Sequence, residues 1–321
     1  GVVTGIGFGT WAWGNQLLWG YRADRDDPEL KATFASAVAA GLRLVDTADS
    51  YGTGRLNGRS EELLGQCLTG LEASSRANLI VATKLAPFPW RLGRRGLVKA
   101  FQASRQRLCG QLDRVQLHWS TARYAPWQER PLLDGLADLV DQGDVRELGV
   151  SNVGPQRLRV LHDHLARRGV RLASVQVQFS LLAPAPIEPG GILEVCRNLG
   201  VEVLAYSPLA LGVLARRPDW TPSDATLLRS GLFRRLLPGS RPLRQAMADM
   251  ARARGVSQVQ VALNWCRAHG TCPIPGFRRP IQVEDARQAL TWELTATERT
   301  QLDQLSFDCS VRMPDNPFQS A

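Results

Sequence analysis

The chain has 321 residues, 44% of them hydrophobic and 21% charged, which is enough to bury a sizeable core and too apolar for a disordered polymer. Its net charge of +9 suits anionic small ligands such as phosphates, but the arginines are dispersed and no nucleic-acid-binding module accompanies them. No apolar run reaches the roughly 20 residues of a membrane-spanning helix, and the six cysteines form no CxxC pair and have no histidine spaced to complete a zinc site.

Scattered cysteines fit a reducing compartment. The expected location is the cytoplasm. The chain begins at Gly1 rather than Met, so upstream residues are expected. A plastid stroma becomes the expected location if those residues carry a transit peptide.

Strand-like and helix-like stretches alternate along the chain. IGFGTW (6–11) precedes a helical stretch near 29–40, and LRLVDT (42–47) precedes SEELLGQCL (60–68), with Ser60 placed to cap it. NLIVATK (78–84) leads into a helix over 96–109, and RVQLHW (114–119) into one over 132–143. VRELGVS (145–151) leads into 155–168, where Pro155 suits the first turn and Gly169 the stop. ASVQVQF (173–179) precedes 191–200, and VEVLAYS (201–207) precedes a long connection and then a helix over 243–255. TCPIP (271–275) precedes 283–290, and TATERTQLDQLS adds a final helix.

Eight such repeats imply a parallel sheet covered by helices, expected to close as an α/β (β/α)8 TIM barrel forming one domain over residues 1–321. The connection from Leu209 to Pro242 is too long for an ordinary loop. Its Arg216, Arg217, Arg234 and Arg235, with Trp220 and Phe233, suggest a lid over an anionic ligand, with a disordered excursion as the alternative. Gly5, Gly7 and Gly9 have the wrong spacing for a dinucleotide fingerprint and mark a strand whose backbone passes close to a neighbour. His162 and His164 are two apart on a helix and are expected at the surface.

Polar residues stand where the predicted strands end: Asp46 and Tyr51 in VDTADSY, Lys84 in LIVATK, His118 in VQLHWS. The C-terminal strand ends of a barrel line its active-site face. There the four could protonate a carbonyl oxygen. Asp46 keeps Lys84 charged, Lys84 lowers the Tyr51 pKa, Tyr51 is the acid, and His118 orients the carbonyl. A Lys ammonium about 4 Å from the phenol, at an effective dielectric of about 20, favours the phenolate by about 4 kcal/mol. That is a drop of about three pKa units, reduced by the offsetting charge of Asp46. No side chain supplies hydride, so a cofactor must.

These residues resemble the Asp–Tyr–Lys–His tetrad of the aldo-keto reductase family. DTADSYG, GVSN (149–152), AYSPL (205–209) and PIPG (273–276) follow in the family's order. A further likeness, to plant-type pyridoxal reductases, rests on GFGTWAWGNQLLWGY (7–21), DTADSYGTGRLNG (46–58), QLHWSTA (116–122), VQVQFSLL (175–182) and LFRRLLPG (232–239).

The resemblance implies NADPH/NADP bound in an extended pose, with no metal. Ser151, Asn152 and Gln176 would hold the nicotinamide carboxamide and Tyr206 would stack beneath the ring. Ser207, Leu209 and Gly212 would lie beside the pyrophosphate, and Gly276, Arg278, Gln282 and Asp285 at the adenosine end, Arg278 on the 2′-phosphate. Where the family commonly has Glu-Asn, this chain has Asp285-Ala286. Trp11, Trp13, Trp90 and Trp119 would wall the substrate, a small-molecule aldehyde or ketone, with pyridoxal the expected one.

A broad aldehyde and ketone reductase, or a slow redox-sensing accessory subunit of the kind seen in potassium-channel β subunits, are the alternatives. A monomer or weak homo-oligomer is expected, with no nucleic-acid or membrane partner.

Overall fold

The computed structural model describes residues 5–221 and 226–321. Positions 222–225, inside the long connection, lie outside the described residues. Eight strands form one parallel sheet in chain order: β1 (Phe8–Gly9), β2 (Leu44–Asp46), β3 (Ile80–Leu85), β4 (Arg114–Leu117), β5 (Glu147–Ser151), β6 (Leu172–Gln178), β7 (Glu202–Tyr206) and β8 (Cys272–Ile274). The first strand also meets the last. The N–H groups of Gly7 and Gly9 donate to the Pro273 and Pro275 carbonyls at 3.0 and 2.9 Å, bringing the sheet round into a nearly closed barrel. Gly7 permits this contact, since a Cβ there would lie 3.0 Å from both the Leu44 carbonyl oxygen and Ile274 Cγ2.

The strand period of two sends alternate side chains into the barrel. Leu44, Ala82, Leu204, Cys272 and Ile274 pack there as a small apolar cluster. At the strands' N-terminal ends the buried Arg114 donates to Glu147 at 2.8 Å and to Glu202 at 3.0 Å. Outward-facing Val45, Val81, Val115, Val150, Val175 and Val203 belong to the larger core shared with the helices.

The described helices are α1 (Gln16–Trp19), α2 (Ala23–Ala39), α3 (Arg59–Thr69), α4 (Ala73–Ala77), α5 (Val98–Arg107), α6 (Pro126–Asp141), α7 (Pro155–Ala166), α8 (Ile192–Leu199), α9 (Leu227–Leu236), α10 (Arg241–Arg254), α11 (Gln258–Ala268), α12 (Pro280–Ala289) and α13 (Ala296–Asp308). Pro155 opens α7, and Gly169 follows its end in the left-handed conformation.

Four local expectations need correction. Ser60 lies inside α3, whose cap is Gly58; the Ser60 hydroxyl instead donates 2.9 Å to the Thr10 carbonyl. Helix α11 has no counterpart in the predicted elements. Its residues are buried on nearly every side, which erases the amphipathic period that marks a surface helix. The long connection is not featureless. It carries a 3-10 turn (Ala210–Ala215) and α9, whose buried face of Arg229, Phe233 and Leu236 holds an arginine where the pattern calls for an apolar residue. His164 is half-buried and sits 2.8 Å from Asp134 Oδ1, so it is no free surface residue.

Candidate active site

Asp46 is the last residue of β2, Lys84 the penultimate residue of β3, and His118 the first residue past β4. Tyr51 stands on the loop after β2. All four line one cleft of about 770 Å³ at the C-terminal strand ends.

Asp46 and Lys84 are buried and paired, with Nζ donating to Asp46 Oδ2 and, at 2.9 Å, to the Thr47 carbonyl. The second carboxylate oxygen is also held. Gln116 and Gln176 each donate an amide N–H to Asp46 Oδ1 at 2.9 Å. The sequence reading missed Gln116. The signal was the strand period, which sends Arg114, Gln116 and His118 to the same face. Gln176 was assigned by resemblance to the nicotinamide carboxamide, yet here its amide nitrogen serves Asp46 and Gln116.

Lys84 Nζ lies 4.8 Å from the Tyr51 ring centroid, and the His118 ring stands nearly edge-on to Tyr51 at 6.1 Å. The expected fall of the Tyr51 pKa is reversed. Burial raises it above its usual value more than Lys84 lowers it, and Asp46 adds to the rise. Burial, aided by the Lys84 charge, pushes His118 well below its ordinary value and leaves it neutral. The Lys84 pKa is raised despite its burial, because Asp46 and Tyr51 hold its proton.

Further along the cleft, Tyr206 donates 2.7 Å to Asn152 Oδ1 and accepts from Asn316 Nδ2 at 3.0 Å. Asn152 donates 3.0 Å to the His118 carbonyl, and the Ser151 hydroxyl 3.1 Å to the Gln176 carbonyl. Asn152, Ser207, Ala210 and Leu211 all have φ between 50 and 58°, a left-handed backbone that disfavours side chains and concentrates at functional sites. Leu209, Gly212, Gly276, Arg278, Gln282 and Asp285 line the same end. Gln282 Oε1 accepts from the Arg278 and Arg279 N–H groups at 2.7 and 3.1 Å, which opens α12, and Asp285 accepts from Ser257 at 2.6 Å. Ala286 is fully buried.

The aromatic wall differs from the one expected. Trp11 and Trp119 line the cleft. Trp13 does not: it is fully buried, its indole N–H donating 2.9 Å to the Phe277 carbonyl, so it is a core residue. Trp90 is 72% exposed and stacks outside on Phe88, which takes the lining position. The tail supplies Met313, Pro314, Asn316, Pro317 and Phe318, none singled out from sequence. Phe318 stacks on Trp119 with ring centroids 4.1 Å apart. An irregular tail crossing a barrel mouth has no periodicity to betray it.

The Aldo/keto reductase family model matches residues 5–306. The chain belongs to the aldo/keto reductase family. Among curated relatives, a chloroplastic pyridoxal reductase of Arabidopsis thaliana is 48% identical over 99% of this chain and 87% of its own. A 6-dehydroglucose reductase of Novosphingobium aromaticivorans is 31% identical over 89% of this chain and 88% of its own. A solved thermostable aldo-keto reductase bound to the inhibitor epalrestat shares the fold, with a TM-score of 0.73 and 24% identity over 94% of this chain and 95% of that one. The chain is therefore an oxidoreductase with the (β/α)8 barrel of this family. No helix among the described residues is long and apolar enough to cross a membrane.

Proposed function

We propose that the protein reduces the aldehyde of pyridoxal to the alcohol with NADPH, Tyr51 giving the proton. The observation that carries the chemistry is one cleft holding Tyr51, Lys84 and His118 at one end and Arg216, Arg229 and Arg278 at the other. The choice of substrate leans on the 48% identity to the plant pyridoxal reductase and on the flat walls of Trp11, Phe88, Trp119 and Phe318, which suit an aromatic aldehyde.

The arginine end fits an anionic cofactor. Burial lowers the pKa of both Arg229 and Arg278, and neighbouring cations lower each further. Phosphates would relieve that cost. Arg278 would take the 2′-phosphate, Gly212 and Leu209 the pyrophosphate, and Tyr206 the underside of the nicotinamide. When bound, NADPH supplies the hydride.

The chain's own residues do the rest. Neutral His118 orients the carbonyl by a hydrogen bond. Tyr51 holds its proton at the phenol oxygen and passes it to the carbonyl oxygen as negative charge develops there. Lys84, kept charged by Asp46, stabilises the phenolate that remains. Gln116 and Gln176 keep Asp46 in place. Trp119 and Phe318 keep water from the carbonyl.

NADPH absorbance should fall faster with pyridoxal than with benzaldehyde or nitrobenzaldehyde. Turnover of the controls alone would discard pyridoxal and retain the reductase. Because burial raises the Tyr51 pKa, its acid form persists through neutral pH, and reduction, which needs that proton, is lost only as pH rises past the raised pKa. Single-turnover reduction should therefore stay level from about pH 6 to about pH 9 and fall beyond about 10. A decline centred near neutrality would show that Lys84 outweighs burial after all. Arg278→Ala should weaken NADPH by about tenfold or more and NADH by distinctly less. Equal losses in a direct titration would remove Arg278 from the 2′-phosphate.

A further inference from the structure

We propose that Trp19 and Arg229 form an anion subsite that grips the cofactor's pyrophosphate between α1 and α9. The inference rests on the NADP(H) reading and adds two residues that neither the motifs nor the family likeness assign.

Arg229 is 6% exposed, and among the described residues no carboxylate lies within ion-pair distance of it. A buried, unpaired guanidinium is costly. Its described hydrogen bond as a side chain is Nη2 to the Leu211 carbonyl, at 3.1 Å. Its Nε has no partner, and neither has the buried indole nitrogen of Trp19. Both residues line the cleft.

The Arg229 guanidinium lies 4.1 Å from the Trp19 ring centroid and that of Arg278 lies 4.5 Å from it. Two cations on one indole concentrate positive charge beside two unused N–H donors. A bound anion would accept from both donors and balance the charge. Burial, and after it the repulsion from Arg278 and Arg216, lowers the Arg229 pKa to about 10.

The position favours the pyrophosphate over the 2′-phosphate. Arg229 bonds to the left-handed turn of Ala210, Leu211 and Gly212. A Cβ on Gly212 would come 3.1 Å from Arg229 Nη2, so glycine leaves the guanidinium room. The two carriers are latched together: the Thr226 hydroxyl donates 3.0 Å to the Leu18 carbonyl in α1 while accepting from Arg229 N at the start of α9.

Calorimetric titration of wild type, Arg229→Gln and Trp19→Phe with NADPH and with NADH tests this. Arg229→Gln should raise Kd by about tenfold or more, and by the same factor for both cofactors. Trp19→Phe, which keeps a smaller aromatic face and removes the indole N–H with its five-membered ring, should raise both by about threefold. The cofactor-free Arg229→Gln protein should melt no lower than wild type, because it loses an unpaired buried cation; a purely structural arginine would lower the melting point instead. Unchanged affinities overturn the subsite, and a loss confined to NADPH overturns its assignment to the pyrophosphate. If wild type binds neither cofactor, the NADP(H) reading itself fails; if wild type binds and both variants match its affinity, this inference fails alone.

Discussion

Tyr51→Phe should cut reduction by about 10²–10⁴-fold, the range for loss of a positioned general acid, with NADPH affinity within about twofold of wild type. The substitution deletes one oxygen and leaves the ring, so the contacts to Lys84 and His118 keep their shape. The phenol is the group at this end of the cleft that both holds a proton at neutral pH and can release it. His118 is neutral there, and the Lys84 proton is held by Asp46. A variant that turned over at near wild-type rate, measured in a single turnover so that product release does not intervene, would sink the assignment.

Lys84→Met should have the second large effect, on stability as well as rate. Lys84 and Asp46 are 1% and 2% exposed, so removing the ammonium strands a carboxylate in the barrel. Breaking a buried pair in this way costs about 3–5 kcal/mol. The lower end is expected here, since Gln116 and Gln176 still donate to Asp46. Urea unfolding should report a loss of about 3 kcal/mol. Lys84→Met with Asp46→Asn should recover most of that loss, because no buried charge then remains unpaired. Turnover should not recover, because Lys84 is still absent beside the phenol. Recovery of both would make the lysine a structural residue only; recovery of neither would show that Asp46 is not what the lysine balances.

The reversed Tyr51 pKa shows why local reading falls short at such a site. Proximity of a lysine was legible from the strand ends. The degree of burial was not, and burial turned out larger than the attraction. Trp13 and Trp90 teach the same lesson. Both sit in aromatic-rich loops, yet one is sealed in the core and the other is exposed. Nothing in the order of residues distinguishes them from Trp11 and Trp119.

Arg229 and helix α11 were hidden for a related reason. Each breaks a pattern that sequence reading relies on: a charge on the buried face of a helix, and a helix with no polar face.

Residue order was enough for the barrel, since eight alternating units have few ways to pack and a parallel sheet must be covered by helices. It was enough, too, to place Asp46, Lys84 and His118 at the ends of neighbouring strands, because strand ends are marked locally by an apolar run that stops. Folding decided the rest: the amides that hold Asp46, the tail that lays Phe318 on Trp119, and the arginine on α9 that meets Trp19. These are contacts between segments far apart in the chain. They depend on how much water and how many partners each side chain finds, and that is a property of the packed whole.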